Sequence, residues 1–149
     1  MSKQPQPKSI RAKISEILYL MQIYEAQARS LNEQLNLINL RLEELKLAKA
    51  FLDSLKTIDV NTELLFPIGG GVFVRGRISD KEYVLMDIGA NVIVKRAVPE
   101  STDAVNNNII NLEDARTKLE GQLAQVIQKY NELQKLLEKY SESLEEARK

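Results

Sequence analysis

"LFPIGGGVFVRGRISD", Leu65 to Asp80, suits either a loop that cradles a phosphate or a turn within a sheet. Consecutive glycines follow a proline and run into alternating apolar and basic residues. A phosphate-binding loop needs backbone N–H groups converging on an anion, in a Gly-x-x-x-x-Gly-Lys-Ser/Thr or Gly-x-Gly-x-x-Gly spacing that opens a helix. Neither spacing is present. Counting from Gly69, the second glycine of the dinucleotide pattern falls on Gly71, but the next required glycine falls on Val74, and Phe73, Val74 and Arg75 continue as a strand. The stretch predicts a tight bend between two strands, because glycine reaches φ > 0 without steric cost and Pro67 is tolerated at a strand edge.

Working outward, short apolar runs occupy Leu64 to Ile68, Val72 to Ile78, Tyr83 to Ile88 and Val92 to Arg96. They are separated by Gly69-Gly70-Gly71, Ser79-Asp80-Lys81 and Gly89-Ala90-Asn91, residues that tolerate turn conformations. The pattern predicts two β-hairpins in succession over residues 63–97. In the second run Val72, Val74 and Ile78 face one side, while Phe73, Arg75 and Arg77 face the other. Hairpins of this size are marginal alone and present unpaired edges and an uncovered apolar face. Several copies, or this chain and its relatives, are therefore expected to pool their hairpins into a shared closed sheet. The expected assembly residues are Leu65, Phe66, Ile68, Val72, Phe73, Val74 and Ile78 in the first hairpin. In the second they are Val84, Met86, Ile88, Val92 and Val94.

On either side of this block lies a heptad. From Ile14 apolar residues recur in alternating steps of three and four: Ile17, Met21, Tyr24, Ala28, Leu31, Leu35, Ile38, Leu42, Leu45 and, after a break at Lys49, Leu52. So narrow a seam cannot bury itself on a lone helix and needs a partner with the same repeat. That partner resumes after Val105 at Ile109, Leu112, Leu119, Leu123, Val126, Tyr130, Leu133, Leu137, Tyr140, Leu144 and Ala147, with Arg116 as its polar member. Arms of matched length joined by a compact middle segment fold back most simply as an antiparallel hairpin. The expected organisation is a basic, flexible tail over 1–8, a first coiled-coil helix over 9–58, the hairpins over 63–97 and a second helix over 101–149. Lys49 and Arg116 fit a role in fixing register, and Gly121 falls at an outward position.

Composition narrows the function. The 149 residues are 28% charged with a net charge of zero, and Glu63 to Glu100 is balanced locally, so the basic footprint of a nucleic-acid binder is missing. Binding through Arg75, Arg77, Lys95 and Arg96 remains an alternative on this reading. With no cysteine and no histidine, the usual zinc sites and the Ser-His-Asp and Cys-His nucleophile pairs are excluded, and no enzyme is expected. The opening residues lack a secretory signal, and no apolar run approaches the ~18 residues of a membrane span. A soluble, cytoplasmic protein is expected, with no membrane partner.

The middle block "ELLFPIGGGVFVRGRISDKEYVLMDIGANVIVKRAVPE", Glu63 to Glu100, set between two coiled-coil arms, resembles the alpha class of prefoldin subunits, the archaeal form more than the eukaryotic. The segments "LFPIGGGVFVRGRI" and "VLMDIGANVIVKR" carry the likeness, since heptads alone match many proteins. The resemblance implies an α+β, mainly α fold: a long antiparallel coiled-coil hairpin whose two β-hairpins join an intersubunit β-barrel. It implies a hexamer of two alpha and four beta subunits, in which alpha subunits also associate with each other through the hairpins. It further implies that unfolded polypeptides are held at the distal ends of the coils and passed to a group II chaperonin without nucleotide, metal or other cofactor.

The residues themselves suggest how distal ends could bind. In an antiparallel arm the last turns fray, exposing seam residues. The client-binding candidates are Ile10, Ile14, Ile17, Leu18, Leu20 and Met21 on the first arm, and Leu136, Leu137, Tyr140 and Leu144 on the second. Leu18 and Leu20 lie off the seam and add apolar surface for which packing within the arm gives no role. The seam members Ile14, Ile17, Leu137 and Tyr140 suit core and client contact equally. A coiled-coil spacer or filament protein assembled through its strands is the competing reading.

Overall fold

The computed structural model describes residues 7–147; residues 1–6 of the expected tail over 1–8 and the last two residues lie outside that range, while Pro7 and Lys8 already belong to the first helix, which was expected from residue 9. The elements run α1 (Pro7–Ser54), β1 (Glu63–Gly69), β2 (Val72–Arg77), β3 (Tyr83–Asp87), β4 (Ile93–Ala97) and α2 (Val98–Glu146). The chain divides into two compact units, one made of Met1–Asn39 with Ala115–Lys149, the other of Leu40–Asp114.

In the first unit the helices are antiparallel, because their contacts pair rising numbers on α1 with falling numbers on α2. Lys13 Nζ donates to Tyr140 Oη at 3.3 Å, and Tyr130 Oη donates to Glu25 Oε1 at 3.0 Å. The heptad seam lies between them. Ile17 and Leu35 are buried, and Ile14, Met21, Tyr24, Ala28, Leu31, Leu119, Leu123, Val126, Leu133 and Leu137 are half-buried. Arg116 enters the seam and turns its Nε to Glu120 on its own helix at 3.7 Å. Gly121 faces open space, so its position carries no packing requirement.

The second unit holds most of the fully buried core: Leu42, Leu45, Leu52 and Leu55 of the first helical segment and its exit turn, with Val98, Val105 and Ile109 of the second. Lys49 occupies a seam position but reaches out to Asp53 Oδ2 at 3.1 Å, keeping its charge half in water. Lys46 and Glu113 meet across the helices at 3.1 Å. Ser101 is 1% exposed, and its hydroxyl finds no partner among the described residues.

Helix α1 ends earlier than the heptad suggests, at Ser54 rather than near residue 58. The Ser54 hydroxyl donates to Phe51 O at 2.7 Å, and both Thr57 and Ile58 donate their N–H to Ser54 O, closing tight turns in place of further helix. Asn61, at φ 70°, then turns the chain into β1, where its N–H bonds Ile78 O at 2.7 Å. Helix α2 starts earlier than expected, at Val98, directly after β4. Pro99 suits a first helical turn, where its missing N–H costs nothing, and Val98 N donates back to Glu82 O at 2.9 Å.

The strands form two separate antiparallel hairpins, β1 with β2 and β3 with β4. In the first, Glu63 pairs Arg77, Leu65 pairs Arg75 and Phe66 pairs Val74, with an irregularity between Pro67 and Gly69. Gly70 and Gly71 are the central residues of its turn, at φ 59° and 76°. Both are left-handed, as the favoured two-residue hairpin turn demands. The second hairpin has the same geometry with Ala90 and Asn91 at φ 51° and 60°, and the Asp87 carboxylate accepts the Gly89 N–H at 2.8 Å. Gly76 has a role of another kind: an added Cβ would stand 2.7 Å from the Phe66 ring, which lies over the bare backbone.

The loop joining the hairpins is organised by Asp80, whose Oδ1 accepts N–H groups from Glu82 at 2.8 Å and Tyr83 at 3.2 Å. These bonds, together with the Lys95 charge, hold its carboxyl below the usual carboxylate range.

Replacing Gly71 with valine is expected to destabilise the chain by about 2 kcal/mol, the cost of a β-branched residue forced left-handed, whereas Ala90→Gly should be neutral or stabilising. Urea denaturation of both variants checks this. For Asp80, the depressed folded pKa means that its stabilisation is complete above the unfolded value of ~3.9 and is lost as pH falls through the folded value. The stability difference between wild type and Asp80→Asn, present at pH 7, is expected to hold down to about pH 4 and to disappear only as an acid titration passes below the folded pKa.

Candidate functional site

Among the described residues, apolar side chains are left uncovered on the hairpins of one unit and at the arm end of the other.

In the unit of Leu40–Asp114, both hairpins are open. By the pairing register, Leu64, Phe66, Val74 and Gly76 share one face of the first hairpin, and Leu65, Pro67, Phe73, Arg75 and Arg77 share the other. Leu65, Phe66, Ile68, Val72, Phe73 and Val74 are all exposed, Leu65 to 63%, and Ile78 is half-buried. Phe73, Arg75 and Arg77 share a side as the alternation in β2 predicts, and Leu65 and Pro67 of the partner strand β1 add apolar surface to that same face. In the second hairpin Val84, Met86 and Val94 are half-buried, while Ile88 and Val92 are exposed. Leu85 and Ile93 are also exposed, and sequence reasoning passed over them because it followed a single face.

The basic residues of the hairpins are engaged locally. Glu63 lies 3.6 Å from Arg75 and 3.9 Å from Arg77. Lys95 stands 4.5 Å from the centre of the Tyr83 ring and 3.8 Å from Asp80. Arg96 points its guanidinium at Met86 Sδ, 3.7 Å away. Exposed pairs of this sort add little stability, but they break up the free row of cations that a phosphate backbone would require.

In the unit of Met1–Asn39 and Ala115–Lys149, the arm ends are more closed than fraying predicts. Ile10 is only 2% exposed and Ile17 is also buried, so neither offers contact surface in this conformation. Ile14, Met21, Leu137, Tyr140 and Leu144 are half-buried. Lys13 covers part of Tyr140, its ammonium 5.3 Å from the ring centre. Of the off-seam leucines, Leu18 is 46% exposed, as its position requires, but Leu20 is half-buried. Leu136 is 43% exposed, and Tyr19, which heptad counting did not flag, is exposed as well. The surface available at the arm end thus centres on Leu18, Tyr19 and Leu136, with a partial contribution from Leu20.

A further outward set was missed on α1: Leu40, Leu47 and Phe51, all exposed. The signal was present, since these residues fall on the helix face turned away from the seam, where a solvated helix is ordinarily polar.

Among the described residues no helix is long and apolar enough to cross a membrane, and no cluster of three or more acidic side chains is placed to hold a metal ion.

The family model described as prefoldin subunit matches residues 24–143, which take in both hairpins and most of both helices. The prefoldin alpha subunit of Pyrococcus horikoshii is 30% identical over 121 residues, covering 80% of this chain and 82% of that one. A putative prefoldin alpha subunit of Aquifex aeolicus is 29% identical over 143 residues, covering 95% and 94%. In fold, the chain is similar to filamentous PFD from Methanocaldococcus jannaschii, with a TM-score of 0.66 and 23% identity over 77% of this chain and 95% of that one. It is also similar to the prefoldin beta subunit of Thermococcus strain KS-1, with a TM-score of 0.57 and 19% identity over 85% and 90%. Long paired helices, two hairpins and a family match across four-fifths of the sequence agree: the chain belongs to the prefoldin family of non-enzymatic chaperone subunits, and its sequence relatives are alpha subunits.

Proposed function

We propose that this chain is the alpha-class subunit of a cytoplasmic, ATP-independent prefoldin hexamer, two alpha and four beta, that holds non-native polypeptides at its arm ends. From there it passes them to a group II chaperonin. The observation that carries this reading is the distribution of uncovered apolar surface. The hairpins expose leucine, isoleucine, valine and phenylalanine side chains on both faces and leave strand edges unpaired. Such strands need partners, and other subunits supply them by adding strands until the sheet closes. Alpha subunits meet one another through the same hairpins, and beta subunits complete the ring.

At the arm ends, Leu18, Tyr19 and Leu136 form small apolar patches on a closed coil. A patch of this size binds weakly, which suits clients that share no sequence. Several arms in one complex raise the overall affinity by multivalency without tightening any single contact. The local pairing of Arg75, Arg77 and Lys95 argues for protein rather than nucleic-acid clients.

A second reading draws on the filamentous relative. Open strand edges serve end-to-end extension as readily as ring closure, and in that case the chain would be a spacer with no clients. The two readings differ in mass and in protection. The full chain should sediment as a discrete oligomer, growing to a hexamer when a beta-class subunit is added; filaments of unbounded length in both conditions would favour the spacer. The variant carrying Leu18→Ser, Leu20→Ser and Leu136→Ser should assemble normally yet suppress aggregation of a chemically denatured protein about tenfold less effectively. Undiminished suppression by this variant would remove the arm ends from the mechanism.

A further inference from the structure

On one flank of the unit formed by Met1–Asn39 and Ala115–Lys149, a groove of about 380 Å³ runs between the helices. Gln27, Ser30 and Gln34 of α1 line it opposite Gln122 and Gln125 of α2, and Leu31 and Val126 contribute apolar surface from the seam. Lys129 stands at its Tyr24 end, with the ammonium 5.8 Å from the ring centre. Residues flanking a coiled-coil seam are ordinarily Glu and Lys, whose charges set partner and orientation. Here, apart from Lys129 at one end, both walls are built from neutral hydrogen-bonding groups. The other flank differs: there Tyr130 donates to Glu25, beside a cavity of about 150 Å³ with an all-apolar floor of Ala28, Val126 and Ile127.

A glutamine amide offers two donors and an acceptor, and a peptide unit presents one of each. Exposed amides on both sides of an apolar floor therefore match the main chain of an extended polypeptide whatever its side chains. From Gln27 to Gln34 the wall spans about 10 Å of helix, the length of roughly three residues of extended chain.

The groove also lies in line with the arm end. Leu20, Gln27 and Gln34 are one heptad apart on α1, and Leu136, Lys129 and Gln122 are one heptad apart on α2, so each set follows the same side of its helix. A chain held at Leu20 and Leu136 would meet the amides next. We propose that this groove binds the backbone of a non-native polypeptide, independently of its sequence, next to the segment held by the arm-end leucines. The inference rests on the client-holding function proposed above.

The test uses the assembled full-length protein and a dye-labelled, uncharged, unstructured nonapeptide, together with the same peptide N-methylated at alternate backbone nitrogens. The comparison variant carries Gln27→Ala, Gln34→Ala, Gln122→Ala and Gln125→Ala, since alanine preserves the helices. N-methylation should weaken binding to the wild type about fivefold, through lost backbone hydrogen bonds, and should make no difference to the variant. Equal discrimination by the two proteins, or none by either, overturns the groove as a backbone site. Loss of assembly in the variant would identify the flank as a contact between copies, which also overturns it. A wild type that protects no denatured protein defeats the client-holding function itself; one that protects through Leu18, Leu20 and Leu136 yet ignores N-methylation defeats only the groove.

Discussion

Hydrophobic burial along a narrow seam is the constraint on which the other features depend. Each helix carries apolar side chains on one stripe, and neither stripe can leave water without the other. Pairing of Lys13 with Tyr140 and of Glu25 with Tyr130 shows that the solution is antiparallel. The seam is not uniform. In the unit of Leu40–Asp114 it is built mainly from leucine, isoleucine and valine, Lys49 excepted, and most of these are buried. In the other unit tyrosines, an alanine and a methionine leave most layers half-buried, with polar groups close on either side. A tyrosine in a seam keeps its ring in the apolar layer and its hydroxyl at the edge. The Tyr130 bond to Glu25 stabilises the protonated phenol and so raises its pKa.

The hairpins illustrate the opposite condition, elements well defined locally but unfinished as a sheet. Their turns are specified residue by residue: Gly70 and Gly71 in one, Ala90 and Asn91 with the Asp87 bond in the other. Their registers are fixed by those turns and, in the first hairpin, by the Phe66 ring covering Gly76. What the chain does not supply is a covering layer for Leu65, Phe73, Leu85 and Ile93. A sheet with both apolar faces and edges open calls for added strands, which links this local geometry to the oligomeric prefoldins with which the chain is grouped.

Charges in this chain mostly arrange the elements locally. Lys49 and Arg116, the polar entries in the heptad, each face a carboxylate one turn further along the same helix, and the buried Nε of Arg116 makes no hydrogen bond among the described residues. Asp80 orders the loop between the hairpins through backbone N–H groups. The cations of the hairpins are tied to Glu63, Asp80, Tyr83 and Met86.

The linear sequence determined the two helices, the four strands and both hairpin turns, because heptad spacing, strand alternation and glycine placement act over a few residues. It also marked Leu18 as lying off the seam. Helix ends were less legible: Ser54 and Val98 are set by turn hydrogen bonds and by the bond to Glu82, which heptad counting does not register. The tertiary structure alone decided that Ile10 is covered, that Leu20 is half-buried beside an exposed Leu18, and that Leu65 shares a face with the arginines. It alone assembled the amide groove, whose walls come from residues some ninety positions apart. Burial and shared faces depend on what the second helix or the neighbouring strand places opposite a residue, and that is fixed only once antiparallel pairing and register are set.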